Sequence, residues 1–291
     1  MTPTTKRVLV TGASAGIGRD TALTCAKLGF EVFAAARRTK ALEVLQREAG
    51  DSLHPIELDV NSAASIERAK AEILDRTNGY GIDGLVNNAG IAIAGMLSEV
   101  TDHDMRSQFE TNVFGLMTVT RAFLPEMMAR RSGRIVNVSS SGGLVSLPFV
   151  GVYHATKFAL EALSDTLRWE LRPFGVRVSV IEPGPIRSEF GDKLIGSTDR
   201  ILPGSPYAPI FADIDRIKAF AEGRMSGPEV VTRDIVHALT SRWPRARYLE
   251  PRVLFLFIKL YQLTPTWLTD WLITRVVGLT AKRLALQNAQ K

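Results

Sequence analysis

The chain has 291 residues, a length that suits one α/β domain with an appendage or two small domains. Hydrophobic residues make up 45%, enough for a large core, and the one cysteine, Cys25, excludes a disulfide framework and favours a reducing compartment such as the cytoplasm. The formal net charge is +6, but residues 241–291 hold nine basic and two acidic residues, so the excess lies in that segment. Such a basic segment is typical of contact with nucleic acid or an anionic membrane surface.

Short aliphatic runs alternate with helical segments through residues 1–250, which is the pattern of a parallel sheet covered on both faces. Right-handed crossovers then give an α/β fold, a doubly wound, Rossmann-like sheet in a single domain. The strands are predicted at 7–11, 31–35, 53–58, 84–87, 133–139, 177–182 and 247–249. The helices are predicted at 17–28, 40–49, 62–77, 103–130, 152–172 and 229–242.

A glycine-rich turn joins the first strand to the first helix. Glycines there let the backbone approach a pyrophosphate, whose charge the helix N-terminus favours. A structural tight turn is the alternative, but the position between strand and helix favours nucleotide binding. The candidate cofactor-binding residues in this turn are Gly12, Ser14, Gly16, Ile17 and Gly18.

Four further residues, at the ends of three strands, are candidates for holding the cofactor. Arg37 follows the second strand, where an NAD site offers an acidic residue, so a 2′-phosphate and NADP are favoured over NAD. The alternative is a solvated basic helix start. Asp59 and Val60 end the third strand, where Asp59 either caps the next helix or meets the adenine edge. Asn88 follows the fourth strand, where small residues allow close cofactor approach.

Tyr153 and Lys157 are four residues apart and therefore share one face of the predicted helix 152–172. A nearby ammonium lowers the pKa of a phenol, and such a tyrosine is able to exchange a proton with a substrate oxygen. The preceding strand ends in Ser139, Ser140 and Ser141, one of which is placed to bind the same oxygen. Asn112 lies inside the helix 103–130, where its neighbours suggest local packing or distortion.

These motifs, in this order, resemble the short-chain dehydrogenase/reductase family in its compact single-domain form. The resemblance covers about residues 6–250 and rests on TGASAGIG (11–18), NNAG (87–90), Asn112, NVSS (137–140), YHATK (153–157) and PGPI (183–186). It implies reversible hydride transfer between C=O and CH–OH. One departure is Ala15, because NADP-preferring members commonly have a basic residue there, which leaves Arg37 as the main support for NADP.

The resemblance also implies roles for individual residues. Tyr153 is expected to be the general acid/base, and Lys157 to lower its pKa and hold the nicotinamide ribose. Ser140, the second serine of NVSS, is expected to orient the carbonyl, and Asn112 to hold a water in the proton relay. Ile186 is expected to meet the nicotinamide carboxamide. The family's usual homodimer or homotetramer is expected through helices 103–130 and 152–172, and no metal site is predicted.

Two segments distinguish this chain from the minimal pattern. Residues 188–225 are the expected substrate lid, rich in turn formers and aromatic residues, and predict an apolar substrate: steroid-like, retinoid-like or lipid-like. Residues 251–291 are an apolar, basic helical extension that suits a peripheral membrane contact or packing against the body or another subunit, with packing slightly favoured. The extension is too apolar for nucleic-acid binding.

Two other functions stay open from the sequence alone. One is a 3-oxoacyl-thioester reductase, which would need a basic patch near the mouth of the site. The other is a cofactor-sensing binding protein without turnover. The presence of Asn112, Ser140, Tyr153 and Lys157 argues against it.

Overall fold

The computed structural model describes residues 6–187, 191, 204–211 and 225–285. The strands are β1 (Arg7–Thr11), β2 (Glu31–Ala36), β3 (Leu53–Glu57), β4 (Gly84–Asn87), β5 (Gly133–Val138), β6 (Val176–Pro183) and β7 (Arg247–Glu250). The helices are α1 (Gly16–Lys27), α2 (Lys40–Ala49), α3 (Ala63–Arg76), α4 (Asp102–Phe109), α5 (Leu116–Ala129), α6 (Gly151–Glu170), α7 (Ala208–Phe211), α8 (Glu229–Thr240), α9 (Leu254–Leu263), α10 (Thr266–Val277) and α11 (Ala281–Ala285).

The seven strands form one parallel sheet in the order β3-β2-β1-β4-β5-β6-β7. The order reverses direction between β1 and β4, which pair through Val8 and Gly84 at their amino ends. In such sheets, ligands bind beyond the carboxyl ends of the strands at this reversal. The predicted doubly wound α/β fold is therefore confirmed, and it locates the expected site.

Helices cover both faces of the sheet and bury two separate hydrophobic cores. The first core lies under α1, α2 and α8, with Leu23, Leu42 and Ile235 packed on the side chains of β1 and β2. The second lies under α3, α5 and α6, with Ile73 and Phe123 among its members. Because β1 and β2 are buried on both faces, their sequences are nearly continuous apolar runs rather than alternating ones.

The helix predicted at 103–130 is not continuous. A π-helical segment, Glu110–Gly115, separates α4 from α5, and Asn112 lies inside it. A π-helical segment accommodates an extra residue within a helix and often occurs at functional sites. The distortion expected around Asn112 is thus present.

The described part of the extension after β7 folds into three helices. α10 begins at Thr266, with Pro265 as its cap. The Thr264 hydroxyl donates 2.7 Å back to the Leu260 carbonyl oxygen of α9. No helix in the described part of the chain is long and apolar enough to cross a bilayer.

Candidate active site

The turn between β1 and α1 presents backbone rather than side chains. Gly12 and Gly16 have positive φ angles of 66° and 55°, which side-chain-bearing residues rarely adopt. A Cβ on Gly18 would lie 2.4 Å from both Asn88 Nδ2 and the Gly12 carbonyl oxygen, so only glycine fits there. Ala15 caps α1 without a side-chain hydrogen bond, and the first turn contains no acidic residue. The backbone N–H groups of the first turn of α1 are therefore open to an anion such as a pyrophosphate.

The remaining predicted residues of this turn lie beside that backbone. Ser14 is exposed, and Ile17 is half-buried against the first core. Arg37 is exposed just beyond the carboxyl end of β2, and no ion pair to it occurs among residues 6–187 or the other described ranges. Its guanidinium is thus placed at the edge where the ribose end of a dinucleotide would lie.

Asn88 and Thr11 fix the next strand end against the glycine turn. Asn88 Nδ2 donates 2.9 Å to the Thr11 carbonyl oxygen and 3.2 Å to that of Gly12. Thr11 Oγ1 accepts hydrogen bonds of 3.0 Å from the N–H groups of Asn88 and Ala89. The Asn88 side chain therefore holds the turn in shape.

The capping alternative for Asp59 was wrong. Ser62 caps α3 and accepts from Ser65 N–H, whereas Asp59 Oδ1 accepts 3.0 Å from Asn61 N–H. Asp59 thus organises its own turn, with the buried Val60 beside it. The Val60 carbonyl oxygen lies 2.7 Å from where a Cβ on Gly115 would be, so this turn packs tightly on the π-helical segment.

Tyr153, Ser140 and Lys157 come together where β5 and α6 meet. Ser140 follows β5 by two residues, and its hydroxyl lies near enough to the Tyr153 phenol to lower the pKa of that phenol. Ser140 Oγ also accepts 3.0 Å from Gly142 N–H. The ammonium of Lys157 lies 5.6 Å from the centre of the Tyr153 ring and donates 2.9 Å to the Val138 carbonyl oxygen.

The predicted lowering of the Tyr153 pKa is absent in this geometry. Burial raises the pKa of Tyr153 to about 12, and the Ser140 hydrogen bond opposes this rise. Burial also lowers the pKa of Lys157 to about 8, against the attraction of Glu161. The physical reason is burial of the phenol, which outweighs the opposing Ser140 hydrogen bond.

Asn112 connects the π-helical segment to the catalytic helix. Its Oδ1 accepts 2.8 Å from Ile91 N–H, while Nδ2 donates 2.8 Å to the Ile91 carbonyl oxygen and 3.0 Å to Thr156 Oγ1. Thr156 in turn donates 2.7 Å to the Tyr153 carbonyl oxygen. Asn112 therefore fixes the loop after β4 relative to the turn of α6 that carries Tyr153.

Glu161 lies one further turn along α6, four residues beyond Lys157, and is buried. Its Oε2 pairs with Arg247 of β7, which also contacts Glu182 Oε1 and Asp165 Oδ2, both at 2.7 Å. One guanidinium thus faces three carboxyl groups. Burial raises the pKa of Glu161 to about 7, with Glu182 adding to the rise and Ser139 and Arg247 opposing it.

Ile186 closes the other side of the site and is buried. It pairs with Ser226, and Arg187 N–H donates 2.9 Å to the Ser226 carbonyl oxygen, so the two ends of the predicted lid are joined at its base. Most of the lid, 188–225, lies outside the described residues. Within the described piece, Ile210 is buried and Tyr207 accepts a 3.4 Å hydrogen bond from Ser98.

Two cavities in the described part of the structure lie away from Tyr153. One, of about 510 Å³, lies between α8 and the end of β7 and is lined by both cations and carboxylates: Arg233, Asp234, His237, Arg245, Glu250 and Arg252. The other, of about 290 Å³, lies at the amino ends of the strands, away from the ligand-binding edge. The described ranges contain no cluster of three or more His, Cys, Asp or Glu residues placed to hold a metal ion.

Comparison with known proteins identifies this arrangement. Residues 6–197 match the family model described as short chain dehydrogenase. The chain belongs to the short-chain dehydrogenase/reductase family. It is 37% identical over 266 residues to the uncharacterized oxidoreductase YbbO of Escherichia coli K12, covering 91% of this chain and 93% of that protein. It is an NAD(P)-dependent oxidoreductase acting on CH–OH and C=O groups.

Two further members of the family are similar over most of the chain. Human 17-beta-hydroxysteroid dehydrogenase type 1 is 35% identical over 253 residues, covering 83% of this chain and 76% of that protein. The crystal structure of a single-substitution variant of the actinorhodin polyketide ketoreductase with NADPH superposes with a TM-score of 0.73 at 31% identity, covering 84% of this chain and 95% of that chain.

Three residues that shape the site were not predicted: Thr11, Thr156 and Glu161. Thr11 and Thr156 lie inside the motifs TGASAGIG and YHATK, yet their hydrogen bonds are made to residues distant in sequence. Glu161 had a local signal, since it continues the four-residue spacing of Tyr153 and Lys157. Its partner Arg247 is 86 residues away, which no local pattern indicates.

Proposed function

We propose that this enzyme uses NADPH to interconvert a ketone or aldehyde and an alcohol on an apolar, steroid-, retinoid- or lipid-like substrate. The observation that carries the proposal is the proximity of the Ser140 hydroxyl to the Tyr153 phenol, whose pKa it lowers, with Lys157 one helical turn away. These groups lie beyond the carboxyl end of β5, on the same edge of the sheet as the glycine turn.

Tyr153 is assigned as the general acid/base, which gives a proton to the substrate oxygen during reduction. Ser140 is proposed to orient that oxygen, because its hydroxyl lies near the phenol. A bound nicotinamide cofactor supplies or accepts the hydride, and the protein supplies position and the proton. General acid catalysis of this kind contributes about 10²–10⁴-fold in rate.

Lys157 is assigned two roles, holding the nicotinamide ribose and favouring the Tyr153 phenolate. The ammonium donates to the Val138 carbonyl oxygen and lies 5.6 Å from the centre of the Tyr153 ring. Asn112 is proposed to hold a water molecule in the proton relay, and Ile186 is proposed to contact the nicotinamide carboxamide. The other proposed cofactor-binding residues are Gly12, Ser14, Gly16, Ile17, Gly18, Arg37, Asp59, Val60 and Asn88.

NADP is proposed over NAD because of charge. β2 ends without an acidic residue, and the exposed Arg37 is suited to a 2′-phosphate. A polyketide ketoreductase structure with NADPH is among the similar structures, which supports the same choice. We expect wild-type protein to bind NADPH more tightly than NADH, and Arg37→Asp to reverse that order. Equal affinities of the wild-type protein for the two cofactors, measured by fluorescence titration, would remove Arg37 from this role.

The substrate class rests on the apolar lid sequence and on the similar steroid dehydrogenase. A 3-oxoacyl-thioester reductase is the second candidate, supported by the similar polyketide ketoreductase. The test is an NADPH-consumption screen over steroids, retinal, aromatic ketones, aliphatic aldehydes and acyl thioesters. Highest kcat/KM on an apolar ketone or aldehyde supports the proposal; highest kcat/KM on acyl thioesters selects the alternative.

The organisation of the whole protein follows from the same pattern of segments. We propose one catalytic domain, 1–250, with a separate helical extension, 251–291, in a cytoplasmic protein. Self-association as a homodimer or homotetramer is supported by exposed aromatic side chains on the two helical regions expected to pair: Phe114, Phe158 and Trp169. Analytical ultracentrifugation of the full chain measures the oligomeric state directly.

A further inference from the structure

The helices α9 and α10 expose an unusual amount of apolar surface. Only Ile258 of their side chains is buried among the described residues of the two helices. We name the exposed large apolar side chains of this region the tail face: Val253, Phe255, Leu256, Phe257, Leu260, Leu263, Trp267, Trp271, Leu272 and Val276. Exposed fractions reach 82% at Leu263 and 81% at Val276. Soluble monomers rarely expose apolar patches of this size unless the patch meets a partner or a membrane.

The slightly favoured expectation, that the extension packs against the body, therefore holds only along one edge. A Cβ on Gly184 would lie 2.5 Å from Leu254 Cδ1, so α9 begins against the turn that carries Ile186. Arg283 of the segment after α10 donates 3.1 Å to the Pro209 carbonyl oxygen of α7. These contacts fix the extension beside the predicted lid and leave the tail face uncovered.

Basic side chains flank the tail face. The described residues 251–285 contain five cations, Arg252, Lys259, Arg275, Lys282 and Arg283, against one acid, Asp270. Arg275 lies 4.6 Å from the Trp271 ring centre, and Lys259 lies 5.8 Å from that of Phe255. Tryptophan and aliphatic side chains beside cations match the boundary between lipid headgroups and acyl chains.

We propose that the tail face docks on an anionic lipid surface, with α9 and α10 lying in the interface. The charge decides between this partner and a second copy of the chain. In a symmetric contact, the same cations would approach each other from both subunits, because a two-fold interface pairs identical patches. An anionic bilayer instead attracts each cation while it buries the apolar side chains.

The test is co-sedimentation of the full-length protein with vesicles at low salt, without cofactor or substrate. We expect binding to vesicles of phosphatidylcholine with about 30% phosphatidylserine, at least about tenfold weaker binding to pure phosphatidylcholine, and release from the former as salt screens the charges. Because no turnover is measured, failure here is distinct from failure of the proposed oxidoreductase activity. Absence of binding to the anionic vesicles at low salt overturns the proposal.

Two sets of substitutions separate the apolar and ionic contributions to vesicle binding. Leu256→Gln, Leu263→Gln, Trp267→Gln and Val276→Gln together change exposed positions and are expected to weaken partitioning at least about tenfold. Arg275→Gln with Lys282→Gln is expected to weaken it about fivefold for each charge removed, and only on the anionic vesicles.

The matched control is Leu28→Gln with Val44→Gln, which removes two exposed apolar side chains outside the extension and is expected to leave partitioning unchanged. Equal weakening by this control would mean that binding is unspecific and would overturn the proposal. A change of oligomeric state in the fourfold variant, measured by sedimentation equilibrium, would assign the tail face to a second copy instead and would equally overturn it.

Discussion

Glu161→Gln tests the buried charge cluster behind the catalytic lysine. The Glu161 side chain is 8% exposed and shares Arg247 with two other carboxyl groups. No hydrogen bond of ordinary geometry reaches Glu161 Oε1 within the described ranges, although the nearby Ser139 lowers the carboxyl pKa. Glutamine keeps the size of the side chain and removes its ionisation, so the substitution isolates the cost of the charge.

The size of the effect follows from the pKa of Glu161, which burial raises from 4.5 to about 7. Because the folded value is the higher one, this group's contribution to stability is present below pH 4.5 and lost as pH rises through 7. Over the full titration of Glu161, the free energy of unfolding falls by about 3 kcal/mol, and between pH 5 and 8 it falls by about 2.5 kcal/mol. Glu161→Gln should therefore gain stability relative to wild type by that amount as pH rises from 5 to 8.

The assay is urea unfolding of both proteins at pH 5, 6, 7 and 8, followed by tryptophan fluorescence. The control is Asp165→Asn, which removes another partner of Arg247. Burial raises the pKa of Asp165, but hydrogen bonds from Arg168 and Arg247 outweigh it and hold the pKa below 3.8. The control should change stability by the same amount at all four pH values. A stability difference between Glu161→Gln and wild type that does not depend on pH would refute the reasoning.

Two further outcomes concern the cofactor site. Lys157→Ala should both weaken NADPH binding and slow turnover, measured by fluorescence titration and steady-state rates; unchanged binding would remove its ribose role. Gly18→Ala should weaken NADPH binding at least about tenfold, because its Cβ would lie 2.4 Å from Asn88 Nδ2. Gly151→Ala, where a Cβ meets nothing within 4 Å, is the control and should bind normally.

The sheet was predictable because its signals are local. The strands are short, mostly apolar segments bounded by turns. The predicted bounds therefore agree with the observed ones to within one residue, as in Val176–Pro183 against 177–182. The glycine turn was recognised from its position between a strand and a helix. The distortion at Asn112 was indicated by its neighbours, but the hydrogen bonds to Ile91 and Thr156 depend on tertiary structure.

Other features depend on contacts that the sequence pattern does not contain. The four-residue spacing of Tyr153 and Lys157 predicts that they share one face of a helix. The hydrogen bond that the Lys157 ammonium donates depends on Val138 of the neighbouring strand β5. The Glu161–Arg247 pair joins α6 to β7 across the sheet edge. In the extension, apolar residues surround α9 almost completely, so periodicity could not show which side packs and which is exposed.

The catalytic assignment is tested most directly by Tyr153→Phe, assayed with the best substrate from the NADPH screen. The variant removes one hydroxyl from a buried ring, so the account predicts normal NADPH affinity and a kcat lower by at least about 10²-fold. A Tyr153→Phe enzyme that turns over at a near-normal rate would contradict the assignment of the proton donor.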